Sequence, residues 1–579
     1  MPPDLITPEV TAAFPALAWL LCASALVFFM QAGFAAVEAG AVRHKNSINV
    51  ALKNVVDLCA SFAAFFVVGY SLMFGASWEP IGLVGTPRLF LDGVEAVDPA
   101  GSDVFTLFPL AMFLFQVTFC STAATIVSGG VAERCRFLAY VLVSVGVAGV
   151  LYPLFGHWVW GGGWLADLGY HDFAGSSVVH LLGAGVTLAG LYVLGPREGR
   201  FGADGSVRRI PASSMPMQAL GVFILAFGWI GFNGGSAPLG VQTPMIIVTT
   251  LAAGCFGGLA AMLLVWAARG APEADLILNG VLGGLVAITA GSNCVSLPAS
   301  ALIGMLGGGA VVFGTWVMER LRLDDAVGAV PVHGFAGALG VLCAALFVDP
   351  AWLAANRPGL TQGGFLAVQA LGIVTCIAWS FAGGLLLWWL VGRITSLRIG
   401  RDEERVGMNY SEHKVDDALQ GLLQATEAAV QARTGPGPTL EDVRDGDLVP
   451  LARAIRNLVE RQARTRASSA RWASALAEAH AAIEAQLQDV AVAALANRDE
   501  LAEARRSLEV IRTYLRGEAR KDEFAPVLEQ LVIALSQRID DAARTLLPIE
   551  QAQARLQAEG GRIGRIGAAL RAAGADAPP

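Results

Sequence analysis

Apolar residues in this chain fall into eleven long runs separated by short polar breaks. They lie near residues 14–37, 52–75, 104–128, 135–155, 175–195, 215–235, 245–268, 276–292, 298–318, 327–348 and 366–392. Each approaches the ~20 residues that cross a hydrocarbon core. Helices are expected because lipid cannot satisfy an open backbone. Past residue 400 the pattern changes. A breaker, Thr434-Gly-Pro-Gly-Pro438, is followed by Leu448, Leu451, Ile455 and Leu458 at helical spacing. From Leu476 to Leu515 apolar positions keep a four–three rhythm, the seam of a coiled coil or bundle, with His480 and Asn497 on it. A further amphipathic run covers about 522–547. The expected fold is all-α. A polytopic membrane domain spans 1–400, a tail and linker 401–445, and a cytoplasmic coiled coil or bundle 446–579.

Charge divides the chain in the same way. Only 15% of residues are charged, against ~25% in soluble domains. Of 40 Lys+Arg, 16 precede residue 401 and 24 lie from Arg401 onward. With the N-terminus outside, the inner loops carry thirteen Lys or Arg and the outer loops only Arg88 and Arg357, with Lys53 set aside as lying at a span end. The positive-inside rule then puts the tail in the cytoplasm of a cell whose inner membrane holds the spans. No Lys or Arg precedes Arg43, so the first span lacks the basic leader of a signal peptide and should be retained. The net charge of −8 suggests no nucleic-acid partner. Eight cysteines are scattered without metal-ligand spacing, and no cofactor is expected.

Ionisable groups inside spans are costly and mark function. His180 lies in the fifth span and His333 in the tenth, each after a Val and before small residues. Five spans apart, their helices run in opposite directions, as in an inverted five-plus-five repeat that brings matched residues together near the midplane. A neutral imidazole offers one donor and one acceptor, so a pair suits a small polar solute. A bare ion would need carbonyl or carboxylate rings. Carboxylates in apolar surroundings are few: Glu38, Asp57 and Asp172. Aromatic residues add Trp160 in an outer loop, Phe115 and Phe119 a turn apart on the third span, and Phe232 closing the sixth with Ser236 beyond. An indole face attracts a cation by about 0.5–2 kcal/mol.

Several segments together resemble the ammonium transporter (Amt/Rh) family over residues 14–413. They are Glu38-Ala-Gly-x-x-Arg43-x-Lys45-Asn46, Phe115-Gln-x-x-Phe119, His157-x-x-Trp160-Gly-Gly-Gly, Asp172-Phe-Ala-Gly with His180, Gly231-Phe232-Asn-x-Gly-Ser236 and Asp324-Asp-Ala-Val-Gly-Ala-Val-Pro-Val-His333-Gly. The resemblance implies a homotrimer with one pore per subunit. It implies recruitment of ammonium, and of methylammonium, by Trp160, Phe115 and Ser236. It implies a phenyl gate of Phe119 and Phe232, a lumen lined by His180 and His333, and a structural Asp172. Ser176 departs from the usual second Gly. Residues 401–413 resemble the family's cytoplasmic tail, with Asn409 where an Asp is usual and Lys414 where a Gly is usual; these departures bear on binding of PII-type regulators.

Residues 415–465 weakly resemble a HAMP-type signal relay. Similar relays follow ammonium transporter modules in fused sensors, which implies a cytoplasmic signalling partner. The tail has no phosphate loop, catalytic triad or metal cluster, so an enzyme is the poorest reading. Transport of ammonium is expected first, and ammonium sensing with little transport is the alternative.

Overall fold

The computed structural model describes residues 8–77, 81–93 and 108–415, with short helical pieces at 505–510, 512–513, 532–533 and 535–537. The chain divides into two units, Met1–Val415 and Asp416–Pro579. The HAMP-like stretch, nearly all of the seam with His480 and Asn497, and most of the 522–547 run lie outside the described residues.

Eleven apolar helices follow in order: α1 (Pro8–Ala41), α2 (His44–Phe74), α3 (Phe108–Gly130), α4 (residues 137–160), α5 (Ser176–Leu194), α6 (Met215–Gly234), α7 (Thr243–Arg269), α8 (Ala274–Ile288), α9 (Leu297–Arg320), α10 (Val330–Leu346) and α11 (Gln362–Ile394). Nine are long and apolar enough to cross a membrane, and α8 and α10 are shorter. The described residues contain isolated bridges but no strand. The fold is an all-α polytopic membrane protein. The last helix, α11, is braced against α5.

Small residues bring the two halves together. Along the contact of α1 with α6, a Cβ on Gly40 would stand 2.6 Å from the Gln218 nitrogen, and one on Gly221 would stand 2.5 Å from the Val37 nitrogen. Such stripes let backbones meet where lipid supplies no hydrophobic drive.

Three expectations need correction. α2 begins at His44 rather than near 52, and Lys53 sits within it, fully buried, rather than at a span end. The cause is an inverted polarity. The buried face of α2 is Asn46, Asn49, Val50, Lys53, Asn54, Asp57 and Ser61, while Ile48, Leu52, Val55 and Phe62 point outward. A hydropathy window starts such a helix late, because its first turns carry the polar residues that face protein. Trp160, expected in a loop, is the last residue of the helix Tyr152–Trp160.

At the basic end of the bundle the arginines are tied together. Arg197 pairs with Asp324 at 2.8 Å and with Glu133, which also receives Arg43. Burial alone would raise the Asp324 carboxyl, but the hydrogen bonds and charge of Arg197 hold it far below the usual range. Two short helices, α12 (Arg401–Val406) and α13 (Met408–His413), close over this network. Buried Glu404 accepts from Arg398 at 2.9 Å and from the Glu198 nitrogen at 2.7 Å. Asn409 accepts from the Asn49 nitrogen and donates to the His44 carbonyl, each at 3.0 Å. The donation is one that an Asp carboxylate could not make. Lys414 adopts φ 56, the left-handed conformation that glycine takes without steric cost.

Candidate functional site

The two intramembrane histidines are built the same way twice. Asp172 is followed by Gly175 and His180, and Asp325 by Gly328 and His333, at identical spacing. The Asp172 carboxylate accepts the backbone N–H groups of Gly175, Ser176, Ser177 and Val178 at 2.7–3.1 Å. The Asp325 carboxylate accepts those of Val327, Gly328, Ala329 and Val330 at 2.7–3.3 Å. Each carboxylate fills the orphan donors at a helix start. The glycines have φ 113 and 82, values that a side chain opposes. Each helix then opens in a π turn, Ser176–Leu181 and Val330–Phe335, and each histidine lies within it. An extra residue per turn shifts the side-chain register, a device frequent at functional sites.

The turns aim the imidazoles at each other. His333 Nδ1 and His180 Nδ1 are 3.2 Å apart, and the rings stack at 5.1 Å and 16°. Two ring nitrogens that close share one hydrogen, so one donates and the other accepts. Both rings are buried. His180 Nε2 has no hydrogen-bond partner, so a polar atom is held in an apolar space without satisfaction.

Aromatic rings continue the file. Phe232 stacks on His180 at 5.5 Å and on Phe119 at 4.0 Å and 17°. At that separation the two phenyl faces touch and exclude any solute between them. Phe119 meets Phe115 at 4.6 Å and the edge of Trp160 at 6.2 Å. The Trp160 indole donates to the Asp172 carbonyl at 2.7 Å. A Cβ on Gly175 would stand 3.2 Å from that indole, a second reason for glycine there. Ser236 donates to the Phe232 carbonyl at 2.8 Å. On the far side of the pair, the Phe34 ring lies 6.3 Å from His333.

A family model described as the Ammonium Transporter Family matches residues 18–418. The chain belongs to the ammonium transporter family. It is 39% identical over 439 residues to ammonium transporter Amt2 of Archaeoglobus fulgidus, covering 72% of this chain and 91% of that one. It is 38% identical over 410 residues to Amt2 of Methanocaldococcus jannaschii, covering 69% and 90%. Among solved structures, a sensor Amt protein superposes with TM-score 0.66 at 36% identity, over 70% of this chain and 99% of that one. Saccharomyces cerevisiae Mep2 gives 0.60 at 25% identity, over 67% and 88%. The family is one of membrane transporters, not enzymes, and among the described residues no group of three or more potential ligands could hold a metal.

Seven of the eight residues singled out in the sequence fall in one connected file: Phe115, Trp160, Phe119, Phe232, His180, His333 and Asp172. Ser236 joins it through the Phe232 carbonyl. Asp325, Trp229 and Phe34 were missed. Trp229 stacks on His180 at 5.3 Å and donates to Thr289 at 2.9 Å. The repeated Asp-x-x-Gly-x-x-x-x-His was the signal that would have found Asp325.

Proposed function

We propose that each subunit conducts ammonium, as ammonia, past the stacked imidazoles of His180 and His333. The observation that carries this reading is the imidazole pair, buried between apolar helices with one ring nitrogen unpaired. Ammonium is drawn to Trp160, Phe115 and Ser236 at the outer mouth, where π faces and a hydroxyl replace part of its hydration. Dehydration and loss of a proton let a neutral molecule pass once Phe119 and Phe232 part. The imidazoles then offer an acceptor to N–H and a donor to the ammonia lone pair. Asp172 serves by shaping the mouth, since both its oxygens are filled by the chain's own donors. Methylammonium fits the same chemistry. The Arg-rich end, with α12 and α13, faces the cytoplasm of an inner membrane, the N-terminus lies outside, and three subunits associate.

The likeness to a sensor Amt protein, together with the extension beyond Val415, favours a second role. Ammonium occupancy would be relayed through residues 401–445 to a coiled coil or bundle at 446–579 and a cytoplasmic signalling partner. Transport is tested by ammonium-limited growth and methylammonium uptake in cells lacking other carriers. The chain should restore both. Normal membrane insertion without uptake would leave only the sensor reading.

A further inference from the structure

The short helix α13 is the last helix of the first unit, and the chain continues from it past Val415. Around its last turn it meets the starts of α2 and α4, and Glu412 engages both. Its two carboxylate oxygens accept the Phe137 backbone N–H at 3.0 and 3.1 Å. One of them also accepts from the Asn49 amide nitrogen at 3.0 Å. Phe137 is the first residue of α4, so the carboxylate fills an orphan donor at a helix N-terminus, where negative charge is favoured. The far end of α4 is Trp160. One helix therefore joins the outer mouth to the place where the extension departs.

The next residue carries the chemistry. His413 Nε2 lies 2.8 Å from the Asn49 amide nitrogen, and its ring meets the Phe137 ring at 4.8 Å and 87°. A carboxylate only accepts, so Glu412 fixes which way the Asn49 amide points. The opposite orientation would set two oxygens against each other. The observed one is taken although it leaves Asn49 Oδ1 buried without a partner. The amide then gives one hydrogen to Glu412 and the other to His413. Nε2 must accept, so the imidazole is neutral and its hydrogen is on Nδ1. A second proton would set N–H against N–H, losing a hydrogen bond and stranding two donors. His413 is half-buried, so solvent protons reach it. Burial holds its pKa below the ordinary histidine value, against the pull of Glu412 and with help from Lys53. The other charged or titratable groups on the surrounding elements have their own places. On α2, Lys53 donates to the Cys135 carbonyl at 2.7 Å, and the His44 carbonyl accepts from Asn409. Before α4, Arg136 is held by Glu403 at 3.0 Å, beside the buried Cys135 thiol. Lys414 lies over the Tyr410 ring at 5.4 Å.

We propose that α13 is a pH-sensitive latch, which holds α2 and α4 while His413 is neutral and lets go when the cytoplasm turns acid. This rests on the relay reading above. The docked ring takes a proton less readily than the free one. Docking is therefore fully favoured above about pH 6.5, the free imidazole value, and weakens as pH falls below it. Release withdraws the Glu412 cap from α4 and so breaks the connection between the mouth and the extension. The relay runs at neutral cytoplasmic pH and disengages in acid.

The test is amide hydrogen exchange on the full chain in lipid nanodiscs at neutral and mildly acid pH, corrected for the intrinsic pH dependence of exchange, with and without ammonium. Protection of residues 408–415 should fall several-fold in acid while the spans keep theirs. His413→Gln keeps an acceptor that takes no proton, and should stay protected at both pH values. His413→Arg carries a permanent charge, and should lose protection there already at neutral pH. Equal protection of the unaltered chain at both pH values overturns the latch. So does an acid response that persists in His413→Gln, or full protection of His413→Arg at neutral pH. Ammonium-dependent exchange at residues 446–579 at neutral pH reads the relay by itself. Its absence contradicts the relay and leaves the acid response of residues 408–415 to decide the latch.

Discussion

At the residue scale, the account rests on a few side chains whose neighbours fix their role. His180 and His333 stack with nitrogens 3.2 Å apart, and neither is needed to fold its helix, since Asp172 and Asp325 supply the caps. His180→Ala or His333→Ala should therefore change ammonium conduction or ion discrimination while oligomer assembly, read by native mass spectrometry, stays intact. Trp160→Leu removes a π face worth about 1 kcal/mol, and should raise the concentration for half-maximal methylammonium uptake several-fold. Unchanged concentration dependence would remove Trp160 from recruitment. Much of this was legible in the sequence, because an imidazole in an apolar run stands out. Asp325 did not, since it precedes its span and reads as one of many loop acids; only its symmetry with Asp172 gives it away. Asp325→Ala, which frees four backbone donors, should cost stability of about 1–3 kcal/mol, seen as a lower melting temperature in detergent.

At the element scale, helix existence was readable and one boundary was not. Ten runs matched their helices within a few residues because they are apolar along their whole length, whether they face outward or, like α3 and α5, are mostly buried. α2 was misplaced because its polar residues face inward. The same inversion anchors the end helices α12 and α13. Asn46 accepts from the Met408 nitrogen at 2.8 Å, and Glu404 is buried on Arg398. Glu404→Ala should release residues 401–413, read as faster amide hydrogen exchange there with the spans unaffected. The Arg197–Asp324 pair gives a pH dependence. The folded Asp324 carboxyl titrates below its unfolded value, so its contribution is complete at neutral pH and fades as pH falls below about 4. Arg197→Gln, which strands a buried carboxylate, should cost about 3–5 kcal/mol at pH 7 and less in acid. Equal losses at both pH values would contradict this.

At the scale of the whole molecule, two units divide at Val415, and the first contains every element of the proposed path. A chain ending after Val415 keeps α12, α13 and their contacts, and is expected to transport as the full chain does. What the extension adds is expected in signalling rather than in conduction. The central claim is that this membrane unit moves ammonium past an imidazole pair. Its most direct test is labelled methylammonium uptake by proteoliposomes containing the purified full chain, wild type beside His180→Ala. The account predicts saturable uptake that ammonium competes away and whose rate or selectivity changes in the variant; uptake no greater than in empty liposomes, or identical in both proteins, would contradict it.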